Sequence, residues 1–275
     1  MGTIQDIGHL ATQYANLQNL QSRWDLYDYC VPPVNIYEKV VEYLHLKKDA
    51  SVLDVDCGDG EFLLDLRRKH GHRGTLRGID LSSQLISKAR KIQEEERISP
   101  KIQFYRGDAS STYTPDDSFD VVVSLFSLYH FSDKEKVLLE WKRILKPGGK
   151  IVFATASKEN KPEHQRFKKL AEQITGKRAH EQFSLSFNLE NGAPRVGKAF
   201  RIIDSFVYTG VLYLTSAEPY LKAFDSVRDM FSPAPADNEW LKVKKEVRNQ
   251  IEGEIAKTGH FTDRVKRGFW VCKKV

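Results

Sequence analysis

Asp54, Asp80 and Asp108 each stand in or just beyond a short apolar run: Val52, Leu53 and Val55; Thr75–Asp80; Ile102–Tyr105. A fourth run, Phe119–Leu125, opens into Ser124-Leu-Phe-Ser-Leu-Tyr-His130. Between the first run and the helically spaced Glu61-Phe-Leu-Leu-Asp-Leu lies Asp56-Cys-Gly-Asp-Gly60. Gly58 and Gly60 permit backbone angles and a close approach that side chains block. Strand, Gly-rich turn and helix N-terminus together offer amide groups to a docked ligand. Taken alone, each Asp is an ordinary cap or turn residue. Their shared place at strand ends, where open α/β sheets bind ligands, makes them a candidate set. His130 follows such an end and has an ordinary pKa suited to proton transfer, or it caps the next helix or lines the pocket.

The elements that must position these residues alternate. From Ala50 the pattern predicts strands at 52–55, 75–80, 102–105, 119–125 and 151–155, with helices from Glu61, from Ser82 or Ser83 to about Glu95, and from Lys134 to Leu145. Lys146-Pro-Gly-Gly149 is expected to be the turn before the fifth strand. Near-continuous apolar strands between helices imply a parallel sheet covered on both faces. Upstream, Leu10, Tyr14, Leu17, Leu20 and Trp24 have helical spacing, and Asn35 is placed to cap a helix through Leu46. Past Ala156 the rhythm changes: a charged helical stretch to residue 180, a loop and helix to Phe200, strands at 201–208 and 211–214, helices near 217–231 and 238–257, and a closing strand Gly268–Lys273. The expected organisation is a cap and lead-in helix at 1–46, a ligand-binding core at 47–156, and a part at 157–275 that completes the sheet and adds helical cap insertions.

Composition bounds the class. The chain has 275 residues, 40% of them apolar, enough for a proper core. No run approaches a membrane span, and the first residues lack a charged-then-apolar leader pattern. Cys30, Cys57 and Cys272 have no paired spacing, so neither a disulfide framework nor a metal site is expected. A reduced, cytoplasmic protein follows. The net charge of +6 is diffuse, and the Arg67–Arg73 and Lys242–Arg248 clusters are expected to be solvated surface.

Five stations in order over residues 50–155 resemble the motifs of class I S-adenosylmethionine-dependent methyltransferases. Asp54-Val-Asp-Cys-Gly-Asp-Gly60 resembles the first, acid-x-Gly-x-Gly-x-Gly, with Asp56 where the family has its first Gly. Gly78-Ile-Asp-Leu-Ser82 resembles the second, whose acid accepts from two ribose hydroxyls; Gly107-Asp-Ala109 resembles the third, whose Asp binds the adenine amino group. Phe119–Leu125 and Leu145-Lys-Pro-Gly-Gly149 resemble the remaining two. A nicotinamide fingerprint would need a third Gly where Leu63 stands. The resemblance implies an α/β, Rossmann-like doubly wound, mostly parallel sheet with helical cap additions. It implies S-adenosyl-L-methionine as cofactor, held by Asp54, Asp56, Gly58, Gly60, Asp80, Leu81, Asp108, Ala109 and Leu125. Asp56 could pair with the cofactor's ammonium, repel its carboxylate, or point to solvent. Methyl transfer needs donor and acceptor in near-attack geometry, with His130 as candidate base. The strand-four exit lacks an Asn/Asp-Pro-Pro-aromatic motif and a cysteine, so a small-molecule acceptor, methylated at oxygen or nitrogen, is expected. An RNA methyltransferase and a non-catalytic binding protein are the alternatives. Tyr14, Trp24, Tyr27 and Tyr29 either shape the acceptor pocket or pack the cap, and Arg23 either reaches the cofactor's carboxylate or lies on the surface.

Overall fold

Val52–Val55 is buried along its whole length because helices cover both faces of the sheet it belongs to. The computed structural model describes residues 17–180 and 185–275; Leu10, Tyr14 and Phe183 lie outside them. In chain order the elements begin with helix α1 (Leu17–Asp25), strand β1 (Cys30–Val31), α2 (Ile36–Leu44), β2 (Val52–Val55), α3 (Glu61–Arg68), β3 (Leu76–Asp80) and α4 (Ser83–Glu95). Next come β4 (Gln103–Arg106), β5 (Phe119–Leu125), α5 (Lys134–Ile144), β6 (Leu145–Ala156) and α6 (Pro162–Thr175). The chain closes with α7 (Gly192–Val196), β7 (Arg201–Leu214), α8 (Glu218–Phe224), α9 (Asp237–Thr258) and β8 (Phe261–Lys273). Asn35 does cap α2, its side chain accepting from the amides of Tyr37 and Glu38, and Ser82 caps α4 through the amide of Leu85.

Among the described residues the strands form one sheet in the order β1-β7-β8-β6-β5-β2-β3-β4. β2 runs parallel to both β3 and β5, so the chain order reverses between them and a crevice opens at their carboxyl ends. β8 is antiparallel to both β6 and β7. Successive residues of a strand enter different cores. Val52, Val123 and Val152 meet α2, α3 and α4 on one face; Leu53, Val122 and Ile151 meet α5 and α7 on the other. The Rossmann-like, mostly parallel architecture is therefore the one expected. No helix among the described residues is long and apolar enough to cross a membrane.

Several local expectations are corrected. Lys146–Gly149 lies inside β6 as a bulge, not a turn: Phe119 pairs with Leu145 but Val121 with Lys150, and Gly148 takes φ +74° to absorb the surplus. β7 is one strand rather than two, since Thr209 and Gly210 stay paired with Lys266 and Val265. A Cβ on Gly210 would lie 2.1 Å from the Tyr208 hydroxyl, which donates to the Pro32 carbonyl at 2.6 Å. β8 begins at Phe261, earlier than apolarity suggested, because Asp263 and Arg267 alternate inward with Val265. The expected helix over 157–180 is limited to α6. Arg67 and His72 are buried, not solvated. The Arg67 guanidinium donates to the carbonyls of Pro100, His72 and Gly74 at 3.0, 2.5 and 2.9 Å, and His72 Nε2 meets the Ala50 carbonyl at 2.9 Å.

Trp141 links this packing to the site. Its fully buried indole stacks on Phe153, and Nε1 donates to the Ala109 carbonyl at 2.8 Å, fixing the loop after β4. Trp141→Phe keeps a ring in the core but strands that carbonyl. A loss of about 1–3 kcal/mol is expected, read as a lower urea midpoint at unchanged slope.

Candidate active site

Asp54 pairs in register with Gly78 of β3 and Val123 of β5, so its carboxyl enters the crevice from the centre of the sheet. It is 2% exposed, and no donor among the described residues meets Oδ1. Burial, then the charges of Asp56 and Asp80, hold its pKa well above the carboxylate range. Asp56 occupies the left-handed region at φ +55°, a conformation that usually favours glycine. Burial and the fields of Asp80 and Asp108 raise its carboxyl as well, with a hydrogen bond involving Ser127 opposing. Asp80 is anchored differently: the Gly58 amide donates to Oδ2 at 2.9 Å and the Ser82 amide to Oδ1 at 2.8 Å. Burial still raises its pKa, against those two bonds. Asp54, Asp56 and Asp80 thus lie in one another's fields. Asp108, exposed at the rim, accepts from the Ser110 amide at 2.7 Å, and Ala109 beside it is buried.

The glycines have distinct tasks. Gly60, at φ +78°, begins α3, and a Cβ there would lie 2.5 Å from the Phe104 ring. A Cβ on Gly58, at φ +58°, would lie 3.9 Å from the Trp24 ring of α1, so the N-terminal helix reaches over the turn. Lys88 ties the two together: Nζ pairs with Asp59 at 2.8 Å, meets Gln21 at 3.2 Å and lies 5.9 Å from the Trp24 ring. Leu81, at the end of β3, is 46% exposed and available as an apolar wall; Leu125 is half-buried at the end of β5.

The β5 exit is strained. Phe126 takes φ +61°, held by its amide donating to the Ala154 carbonyl at 3.0 Å. The hydroxyls of Ser124 and Ser127 meet at 2.9 Å below it. His130 ends a single 3-10 turn and is half-buried, its ring 4.5 Å from Tyr129. Burial first, then Arg23 and Lys134, push its pKa down to about 3. It is neutral at physiological pH and a much weaker base than an ordinary histidine.

This fold and site geometry coincide with a family match. A model described as a methyltransferase domain matches residues 46–199, more than half of the chain. The chain belongs to the class I S-adenosylmethionine-dependent methyltransferases. Among curated relatives, the demethylmenaquinone methyltransferase of Bacillus licheniformis is 35% identical over 133 residues, 48% of this chain and 55% of that one. Methyltransferase GfsG of Streptomyces halstedii is 34% identical over 121 residues, 42% of this chain and 43% of that one. The chain spans about half the length of the curated relatives it matches. The structure of the YcgJ protein of Bacillus subtilis shares the fold, with a TM-score of 0.56 at 17% identity, covering 86% of this methyltransferase-family chain and 97% of the other.

The residues present suit the family's cofactor. Among the described residues Oδ1 of Asp54 has no donor, and acids that raise one another's pKa values suit a cation, which an ammonium would supply. The Gly60 approach leaves no room for a side chain. Apolar and polar partners that sequence reading passed over include Lys88 with Asp59, whose contact is long-range, and Tyr37 of α2. The Tyr37 phenol is raised by burial and by Asp54, with Arg267 opposing.

Protons held by Asp54 and Asp56 before a cation binds are expelled when it pairs with them. Cofactor affinity is therefore expected to rise with pH through the raised range, with proton release visible in calorimetry across buffers of different ionisation enthalpy. Affinity independent of pH, without proton release, would contradict the pairing.

Proposed function

We propose that this methyltransferase-family chain moves a methyl group from S-adenosylmethionine to a small-molecule acceptor, at an oxygen or nitrogen. The observation that carries the reading is the carboxylate cluster at the β2/β5 switch point inside a methyltransferase domain. The demethylmenaquinone methyltransferase relatives, named for a small organic acceptor, support the acceptor class. When bound, the cofactor supplies an electrophilic methyl on sulfur, whose bond electrons stay with the sulfur as the acceptor's lone pair forms the new bond.

The residues divide the work of positioning. Asp80, rigid between two amides, keeps lone pairs on both oxygens to accept ribose hydroxyls. Asp54 and Asp56 neutralise the ammonium, while Gly58 and Gly60 let the backbone approach. Leu81, Asp108, Ala109 and Leu125 border the adenine end, with Ala109 held through Trp141. His130 is assigned an orienting role: its neutral ring accepts a hydrogen bond from the acceptor, whose proton leaves to solvent. A pKa near 3 argues against a strong base. Much of the rate then comes from holding the partners in near-attack geometry.

Calorimetric titration with S-adenosylmethionine and its demethylated product tests the reading. Asp80→Ala removes acceptors of charge-assisted bonds, each worth about 1.5–3 kcal/mol, so affinity is expected to fall at least about tenfold. A folded wild-type chain that binds neither compound would overturn it. For His130→Gln, methyl transfer is expected to fall with a pH profile that stays unshifted; loss of the acid-side limb from the profile would restore the base.

A further inference from the structure

Across the strand ends from the carboxylates stand a buried and a half-buried cation, Arg267 and Lys161. Arg267 of β8 pairs in register with Ala156 at the end of β6, and it is only 9% exposed. Its guanidinium lies 3.9 Å from the Tyr27 ring centre and 5.9 Å from that of Phe126, the strained residue at the β5 exit. Among the described residues no acceptor meets Nε. A buried donor left so costs about 1–3 kcal/mol.

Lys161 stands beside it, with Nζ 5.0 Å from the same Tyr27 ring. Two local rules disfavour a lysine at this position. Its φ of +52° is a conformation that costs a side-chain-bearing residue about 1–2 kcal/mol. It also directly precedes the 14-residue helix α6, whose N-terminus repels positive charge. His164, one turn on, is buried with Nδ1 unmet by any described residue. The nearby acid, Asp263, is already engaged: it accepts from the amides of Glu163 and His164 at 3.0 and 3.1 Å and from the Tyr220 hydroxyl at 3.0 Å. Burial raises the Tyr27 phenol, but the charges of Lys161 and Arg267, together with side-chain hydrogen bonds to Asn160 and Lys161, bring it below its ordinary pKa. His164 is driven down by burial, Lys161, Arg23 and Lys168.

We propose that the acceptor carries an oxyanion, a carboxylate or a phosphate, gripped by Arg267 and Lys161 beside Tyr27 and Phe126. The proposal rests on the donor reading above, because it places the acceptor next to the β5 exit. With one face of the guanidinium on Tyr27, its in-plane N–H groups suit two-point contact with an oxyanion. Lys161 adds a point charge from the α6 side. The two halves of the crevice then have opposite polarity, matching a cationic donor and an anionic acceptor.

The test titrates the full chain with benzoate and, in a separate arm, inorganic phosphate, each with and without saturating S-adenosylhomocysteine. Saturable binding of at least one probe is expected, weakened about tenfold or more in Arg267→Gln and in Lys161→Met, and weakened less in Arg267→Lys, which keeps the charge but loses the two-point fork. Lys161→Gly relieves the backbone strain, so it is expected to raise the thermal midpoint while still losing probe affinity. S-adenosylhomocysteine affinity should stay within about twofold in all variants, since the cations act on the other half of the crevice. Preference for benzoate identifies a carboxylate acceptor, and preference for phosphate a phosphorylated one. Probe binding that is absent, or equal in wild type and both charge-removing variants, overturns the inference while normal S-adenosylhomocysteine binding leaves the donor reading intact. Probe binding without S-adenosylhomocysteine binding keeps the anion site and overturns the donor reading instead.

Discussion

The organising constraint is the crowding of buried carboxyl groups at the mouth of the sheet. Asp54, Asp56 and Asp80 sit at the ends of the neighbouring strands β2 and β3, beside the β2/β5 reversal of winding, and those strands are buried on both faces. Like charges at such range and burial oppose ionisation, and the chain offers each a different remedy. Asp80 takes two backbone amides, which fix its geometry. Asp56 interacts with Ser127 from the β5 exit. Asp54 has an oxygen with no donor among the described residues. A folded chain that keeps an orphaned acid gives up stability in exchange for a prepared site.

Much of the surrounding architecture follows from that arrangement. The tight Gly60–Phe104 approach brings α3 and β4 against the turn, and the Trp141 bond holds the Ala109 loop from the opposite face. Left-handed backbone occurs on both sides of the crevice: Asp56, Gly58 and Gly60 after β2 and Phe126 after β5 all have positive φ, which is costly only for Asp56 and Phe126. Such conformations persist where surrounding packing over-determines them.

Distant parts of the chain complete the site. α1 places Trp24 over the Gly58 turn, and the following 3-10 segment places Tyr27 against Arg267 of the last strand. The Tyr37 phenol, raised first by burial, is raised further by the charges of Asp54, Asp59 and Glu61 and opposed by that of Arg267, so one buried phenol lies within reach of both acidic and basic groups. The antiparallel β7 and β8, which lengthen the sheet beyond its parallel core, are what bring Arg267 within that reach.

Local sequence was enough for the parallel core. Period and turn residues marked β2, β3, β4 and β5, the caps at Asn35 and Ser82, and the acids at the strand ends, because those features depend on neighbours within a few positions. Where apolar alternation was hidden, legibility failed: Phe261–Arg267 carries charged residues inward, so its strand character rests on pairing with β7 and β6. Lys146–Gly149 read as a turn, yet β5 draws it into a bulge. Arg67 read as a surface charge, yet three carbonyls from separate segments enclose it. The same division holds at the site. Residue types and order determined that this chain has a strand-end carboxylate set, a Gly-rich turn and the motifs of its family. Only the tertiary structure decided that His130 is a weak base and that Arg267 and Lys161 converge on Tyr27. Burial and through-space charge set pKa values and bring together residues more than a hundred positions apart, and neither is encoded in spacing along the chain.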